Sequence, residues 1–371
     1  MRPQLIIAGG GLMGRLCALA LSEPNLWPAT PRIRLLEQGN FSPNTAAFQN
    51  AAAHVAAAML APLAESVLLD SSLVDLAYRS IALWHNLQQQ LPDFALQQRG
   101  SILLAHPQQQ HLLQHFVSQI KHHAQYQPQW LNKTELAALE PALADRFLHS
   151  CLLPAEGQLD NQAFMSLSLQ LLKQRGVSLE AQSHVDMQAN QLRCNGKLQS
   201  ADLIIDCRGL GAKPQISALR AVRGEVLRVR STAVKLSRPV RLLHPRYALY
   251  IAPKPNNIFV IGATELESNE QTAPSVRSAL ELLSALYAID PAFAEAEILS
   301  LQASARPALP DNKPNLIQQS GVIRVNGLHR HGFLLGPALA EQVAQAAIAQ
   351  LQRREAAQCP PMPGLLKGVN Q

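Results

Sequence analysis

The chain opens on an apolar segment, Leu5-Ile-Ile-Ala8, that runs directly into Gly9-x-Gly11-x-x-Gly14 and then into an apolar helix-like stretch reaching about Leu21. No other feature restricts the fold as strongly. A strand, a tight glycine turn and a helix in that order begin a mononucleotide-binding unit. Its first glycine permits the turn, the second lets a pyrophosphate approach the backbone, and the third packs helix on strand. The helix N-terminus then faces the phosphates. A second apolar strand, Ile33-Arg-Leu-Leu-Glu37, ends on an acid at roughly the 20-residue spacing from the loop where a carboxylate accepts hydrogen bonds from ribose hydroxyls and disfavours a 2′-phosphate. Gly9, Gly11, Gly14 and Glu37 are therefore the first candidate cofactor residues. This unit alone does not separate NAD from FAD.

At 371 residues the chain is too long for one compact core, which predicts two domains or one large α/β domain with an insertion. Charged residues at 16% and hydrophobic residues at 47% exclude general disorder. The net charge of +6 is scattered and never forms a basic run, so a dinucleotide's phosphates are a more economical anionic partner than nucleic acid. Five cysteines (Cys17, Cys151, Cys194, Cys207 and Cys359) without C-x-x-C spacing indicate neither a disulfide framework nor a zinc site. The expected location is the cytoplasm: the first strand leaves no room for a signal peptide, and there is no apolar run long enough for a membrane span.

Further along, an Ala-rich stretch from Ala46 to Leu60 predicts a closely packed helix, and Ser71 or Ser72 is expected to cap the next helix, which runs to about Gln90. A strand at Ser101–Ala105 precedes a polar Gln- and His-rich helix. Asp160 is expected to cap a helix with Phe164, Leu167 and Leu171 on one face, and Ala201–Gly211 predicts a buried parallel strand ending in a Gly-rich turn. Glu225–Val229, Leu249–Ala252 and Ile258–Gly262 suggest an antiparallel sheet. A helix from about Pro274 to Leu286, a strand near Leu299, a strand at Val322–Val325, a helix from about Pro337 to Arg354 and a loose Pro-rich tail after Cys359 complete the chain.

Six segments fall in an order and spacing that resemble the glycine oxidases of the D-amino-acid oxidase family over nearly the whole chain. They are Ala57-Ala-Met-Leu-Ala-Pro62 with Glu65; Glu156-Gly-Gln-Leu-Asp160; Val222-Arg-Gly-Glu225; Tyr250-Ile-Ala-Pro253 with Ile261-Gly-Ala-Thr264; Arg306-Pro307 followed by Pro310-Asp311; and Gly327-Leu-His-Arg-His-Gly332. The resemblance implies an α/β protein in which a Rossmann-like FAD-binding domain (1–85, 150–215 and 305–371) carries an antiparallel-sheet substrate domain (86–149 and 216–304). It implies oxidation of glycine or similar small amines and amino acids, hydride transfer to the flavin, and return of the electrons to oxygen as hydrogen peroxide, with a role in thiamine biosynthesis. Position by position, it gives Arg306 the substrate carboxylate, Tyr250 an assisting hydroxyl and Arg330 the place of a second active-site arginine. Met59 and Leu60 are matched to residues beside the flavin ring, Val185 to the strand at the adenine, and Gly332, Leu334 and Leu335 to the pyrimidine end.

Some positions depart from the family pattern. Ala58 stands where a glycine is usual, the stretch between Glu37 and Met59 is long, and His329 and His331 flank Arg330. Ser304-Ala-Arg306 contains no cysteine for flavin attachment, so non-covalent FAD is expected. Bland alternatives stand beside each assignment: a surface ion pair for Arg306, backbone pairing for Arg330, sheet packing for Tyr250 with Tyr247 as its competitor. His122-His123 and His329/His331 lack a third ligand, so no metal is expected. Competing functions are a D-amino-acid or N-methyl-amino-acid dehydrogenase with a quinone acceptor, and a flavoenzyme modifying a carboxymethyl-aminomethyl group on RNA. The exact amine and a homo-oligomeric state stay open.

Overall fold

The computed structural model describes residues 2–42, 51–120, 126–188, 190–244, 248–270 and 272–358. The expected strand, glycine turn and helix are Gln4–Ala8, the loop at residues 9–11, and Leu12–Leu21. Gln4–Ala8 is central in a six-stranded sheet, flanked in parallel by Arg32–Leu36 and Leu203–Asp206. Ser178–Glu180 and Val322–Asn326 extend it in parallel, and Asn315–Gln319 closes one edge antiparallel. Side chains alternate along the first strand. Leu5 and Ile7 join a core shared with the helices Leu12–Leu21, Ser71–Gln90, Asn161–Gln174 and Gly332–Gln358, whereas Ile6 and Ala8 pack with Met187 and Leu192 on the other face. That second face is covered by a three-stranded sheet made of Val185–Gln188, Gln191–Cys194 and Lys197–Gln199.

A nine-stranded sheet stands against this layer. Its spine is a long ribbon in which Arg220–Arg230 pairs antiparallel with Glu297–Ala308 and with Ile258–Gly262. The three strands expected from sequence are all present here, but the sheet is not uniformly antiparallel, because Val240–Leu243 runs parallel to Ser101–Leu104. Ser150–Leu153 also belongs to it, pairing with Ser101–Leu104, so the expected boundary at residue 150 falls on a strand of the large sheet. One face of the sheet buries Leu227, Val229, Ile251, Phe259 and Ile261 against the helix Val276–Ile289. The opposite face presents Val226, Ala252 and Val260 to Val55 and Ala57.

Three local expectations are corrected. The helix expected over Ala46–Leu60 is a single turn, Ala52–Val55, followed by an extended pair Met59–Leu60; residues 43–50 lie outside the described residues, as does the tail after Cys359. The next helix is capped by Asp70, whose carboxylate accepts from the Ser72 amide at 3.0 Å, so neither serine is the cap. The last helix begins at Gly332 and carries Pro337 inside it. A proline there removes the N–H that would bond the Phe333 carbonyl. Trp84 supplies the missing donor: its indole nitrogen donates to the Phe333 oxygen at 2.8 Å, and the Ala338 amide donates to the Ser80 hydroxyl at 3.1 Å.

Trp84 is buried and also meets Phe164 edge-on at 4.7 Å between centroids. Replacing it by Phe removes ring volume and strands the Phe333 carbonyl in an apolar core. Trp84→Phe is expected to lower unfolding free energy by about 2–3 kcal/mol in denaturant titration at saturating cofactor. A loss below about 0.5 kcal/mol would show that the proline break is satisfied some other way.

Candidate active site

A cavity of about 810 Å³ lies between the six-stranded sheet and the face of the large sheet that carries Val226. Gly9, Gly11 and Glu37 line it at one end, and Tyr250, Arg306 and Arg330 line it at the other. At the first end Gly9 has φ +100°, and a Cβ there would stand 2.6 Å from the Cys207 carbonyl oxygen. A Cβ at Gly14 would collide with the carbonyl of Gly9, so the helix lies against the turn only because residue 14 has no side chain. Gly11 differs: a Cβ would meet nothing nearer than Ala51 at 3.8 Å, which leaves open space over the helix N-terminus. Gly11 is the N-cap and supplies no side-chain acceptor, so the first amides of the helix keep their capacity for an anion.

Glu37 accepts from the Gly10 amide at 2.6 Å and from the Gly39 amide at 3.0 Å. A carboxylate has about four acceptor positions, which leaves capacity for ribose hydroxyls. Arg15, one residue beyond the last glycine, is buried and donates to the carbonyls of Gly10 at 2.7 Å, Phe41 at 2.6 Å and Met165. Burial lowers its pKa to about 10, against the pull of Glu37. Its only sequence signal was a lone cation in an apolar helix. Together the open space over the helix N-terminus, the spare acceptor capacity of Glu37 and a cavity of this volume fit an FAD dinucleotide.

The middle of the cavity is walled by the segment from Ala51 to Met59. Side chains from distant elements take its carbonyls. The Asn161 amide donates to the oxygens of Ala53 at 2.7 Å and His54 at 3.0 Å, and Lys254 donates to Ala57 at 2.7 Å. Lys254 also donates to the Leu159 carbonyl at 2.7 Å and the Gln158 side chain at 3.0 Å, and burial lowers its pKa to about 7. Ala58 sits at φ +51°, in the left-handed region that favours glycine, which accounts locally for the glycine expected there.

At the far end two strand glycines clear room for two large polar side chains. A Cβ at Gly224 would collide with the Arg306 guanidinium, and one at Gly262 would stand 2.7 Å from the Tyr250 hydroxyl. Burial raises the Tyr250 pKa, with Arg306 and Arg241 opposing, so the phenol keeps its proton and can donate. Glu65 is the buried counter-charge. It accepts from Arg241 at 2.7 Å, Arg330 at 2.8 Å and His331 at 2.9 Å. Burial alone would raise its pKa; Arg330, Arg241 and His331 hold it well below the ordinary carboxylate value. Glu265, at 3.4 Å from both His329 and Arg330, is brought down to about 2, with the His329 imidazole beside it the main cause and Arg330 adding to it. Arg306 has no hydrogen-bond or ion-pair partner among the described residues. An arginine stays charged even where burial lowers its pKa, as it does here.

The cavity brings together Gly9, Gly11, Glu37, Met59, Tyr250, Arg306, Arg330, Gly332 and Leu334. Gly14 acts from beneath the loop. Leu60 and Leu335 are buried in the core behind the wall, and Val185 stands outside the lining, its carbonyl accepting from Arg208 at 3.2 Å. Tyr247 and His122-His123 lie outside the described residues. Sequence reasoning assigned no role to Arg15, Arg241, Lys254 or Glu265. Arg241 was findable only through its register opposite Tyr250, which sequence does not give. Among the described residues no group of three or more His, Cys, Asp or Glu side chains is placed to hold a metal ion.

The FAD-dependent oxidoreductase model of the DAO family matches residues 4–346. The chain is 42% identical over 226 residues to a putative thiamine biosynthesis oxidoreductase ThiO from Rhizobium etli, a match covering 60% of this chain and 65% of that relative. It is 26% identical over 358 residues to the glycine oxidase of Geobacillus kaustophilus, covering 91% of this chain and 90% of that enzyme. The crystal structure of glycine oxidase from the same organism superposes with a TM-score of 0.80 over 100% of both chains, at 24% identity.

The two glycine positions have separable consequences. Gly11→Val is expected to leave the fold intact by circular dichroism while abolishing flavin retention, since the branched side chain enters the open phosphate position. Gly14→Ala is expected to lose the fold itself through the clash with Gly9. Full FAD occupancy in the Gly11→Val protein would move the phosphate site elsewhere.

Proposed function

Because the chain belongs to the DAO family of FAD-dependent oxidoreductases, we propose that it oxidises the carbon–nitrogen bond of glycine and similar small amino acids, using non-covalent FAD and oxygen. The observation that carries this is Arg306: a half-buried, unpartnered guanidinium on a cavity wall beside a protonated phenol. A guanidinium fork holds a carboxylate through two parallel hydrogen bonds, and Tyr250 is placed to add a third. Bound FAD would supply the hydride acceptor for the substrate Cα and the route by which the electron pair reaches oxygen as hydrogen peroxide. The protein's share is placement. Arg306 and Tyr250 fix the carboxylate, so that Cα is directed toward the wall formed by Ala57, Ala58 and Met59. The start of the helix Gly332–Gln358 lines the same cavity and offers its unpaired amides and positive dipole end to the cofactor. The substrate amine gives up one proton, and the resulting imine hydrolyses to the corresponding 2-oxo acid, an aldehyde in the case of glycine, and ammonia.

The similarity to the Rhizobium protein supports a place in thiamine biosynthesis, where such an imine is the useful product. Four buried free cysteines suit a reducing cytoplasm, and among the described residues no helix is long and apolar enough to cross a membrane. Ser304-Ala-Arg306 offers no thiol for flavin attachment, so acid denaturation is expected to release intact FAD; colour remaining on the precipitated chain would contradict this.

Arg306→Ala is expected to lower kcat/KM on glycine by roughly ten- to a hundredfold with FAD content unchanged, the worth of a charge-assisted anchor. An amine of similar size without a carboxylate should be little affected. Equal losses on both would assign Arg306 to the fold or the flavin. Peroxide formed in proportion to glycine consumed supports oxygen as the acceptor; turnover only with an added quinone would replace it.

A further inference from the structure

The inner wall holds more charge than one amino acid requires. Arg241, Arg306 and Arg330 line it together with Glu65 and Glu265. Glu65 engages Arg241 at 2.7 Å and Arg330 at 2.8 Å, one through each oxygen, and its second oxygen also meets His331 at 2.9 Å. The other terminal nitrogen of Arg330 is 3.4 Å from Glu265. Of these three arginines, only Arg306 is without a partner among the described residues. Farther out, Arg277 and Glu281 stand one turn apart on an exposed face of the helix Val276–Ile289 and offset each other's charge.

We propose, building on the amino-acid oxidase function above, that Glu65 and Glu265 restrict this site to substrates carrying a single carboxylate. The first carboxylate takes Arg306. A second one, one or two carbons away, enters the space next to Arg330 and Arg241, each of which already commits a terminal nitrogen to Glu65, so that their charge is largely offset. Breaking a buried pair to free them leaves Glu65 uncompensated, which is costly. Glu265, exposed and 3.4 Å from Arg330, adds a like charge beside the same space. Discrimination arises from these two acids: one removes the attractive contact and the other supplies a repulsive one.

The test uses malonate and its monoamide, malonamate, which have nearly the same size and differ by one charge at mildly alkaline pH. Each is titrated as a competitive inhibitor of glycine oxidation by the FAD-loaded enzyme. Wild type is expected to bind malonamate at least about tenfold more tightly than malonate. Glu265→Gln, at an exposed position, should bring the two inhibition constants to within about threefold. Glu65→Gln, which frees Arg330 and Arg241, should reverse the order where it folds. Equal inhibition constants in wild type, or a ratio that Glu265→Gln does not move, would overturn the proposal. Wild type that oxidises no amino acid would instead remove the oxidase function on which it builds, so the two failures are distinct.

Discussion

The carbonyl oxygen of Gly9 occupies the space a Cβ of residue 14 would need, and the rest of the dinucleotide end depends on that contact. It brings the helix Leu12–Leu21 against the end of the first strand, so the helix N-terminus opens into the cavity. Arg15 follows immediately and spends its donors on carbonyls of Gly10, Phe41 and Met165. One side chain thereby joins the glycine loop, the segment after the second strand and the helix Asn161–Gln174. Glu37 holds the same loop from the other side through the Gly10 amide. A cofactor phosphate thus meets a loop already fixed by buried hydrogen bonds, which limits the ordering cost of binding.

The opposite end of the cavity is governed by charge. A buried carboxylate is costly unless paired, and Glu65 is paired with two arginines and a histidine contributed by different parts of the chain. Its position is set in turn by Glu156, which accepts from the Ala64 amide at 2.8 Å and from the Ser101 hydroxyl. Burial raises Glu156 to about 7, so that support weakens as it protonates. The outcome is a near-neutral cluster beside one uncommitted guanidinium, and it is this asymmetry that makes Arg306 available for a ligand.

What could be read from sequence follows from what is local. The glycine loop, the Asp160 cap and the β-rich segments at Glu225–Val229 and Ile258–Gly262 each announce themselves within a few residues, and the structure has them all. Over its described part, residues 51–60, the Ala46–Leu60 expectation failed because helix propensity is weak beside tertiary contacts, here the donors from Asn161 and Lys254. The start of the last helix was placed too late because proline normally breaks a helix, and the compensating Trp84 lies far upstream in sequence. Tyr250, Arg306 and Arg330 are assigned only through resemblance to a family. Their physical signature, glycines at 224 and 262 under large side chains, becomes legible only once strand register is known.

The wall between the two ends shows why the site cannot belong to either sheet alone. Lys254 comes from the large sheet, and its ammonium reaches carbonyls at Ala57 and Leu159 on the side of the glycine loop. Arg228, from the long ribbon of the same sheet, reaches the Asn161 side chain at 2.7 Å, and Asn161 in turn holds Ala53 and His54. Both basic side chains are buried, and these donors of each are taken up by groups from the other layer. Separating the layers would leave charged donors and backbone carbonyls without those partners, while also opening the space a flavin fills. Cofactor binding and the docking of the two sheets therefore favour the same state. A ligand that binds only this docked arrangement stabilises it in proportion to the logarithm of its concentration over its Kd. The polar contacts that shape the cavity are, by this linkage, also the contacts through which cofactor binding holds the protein together.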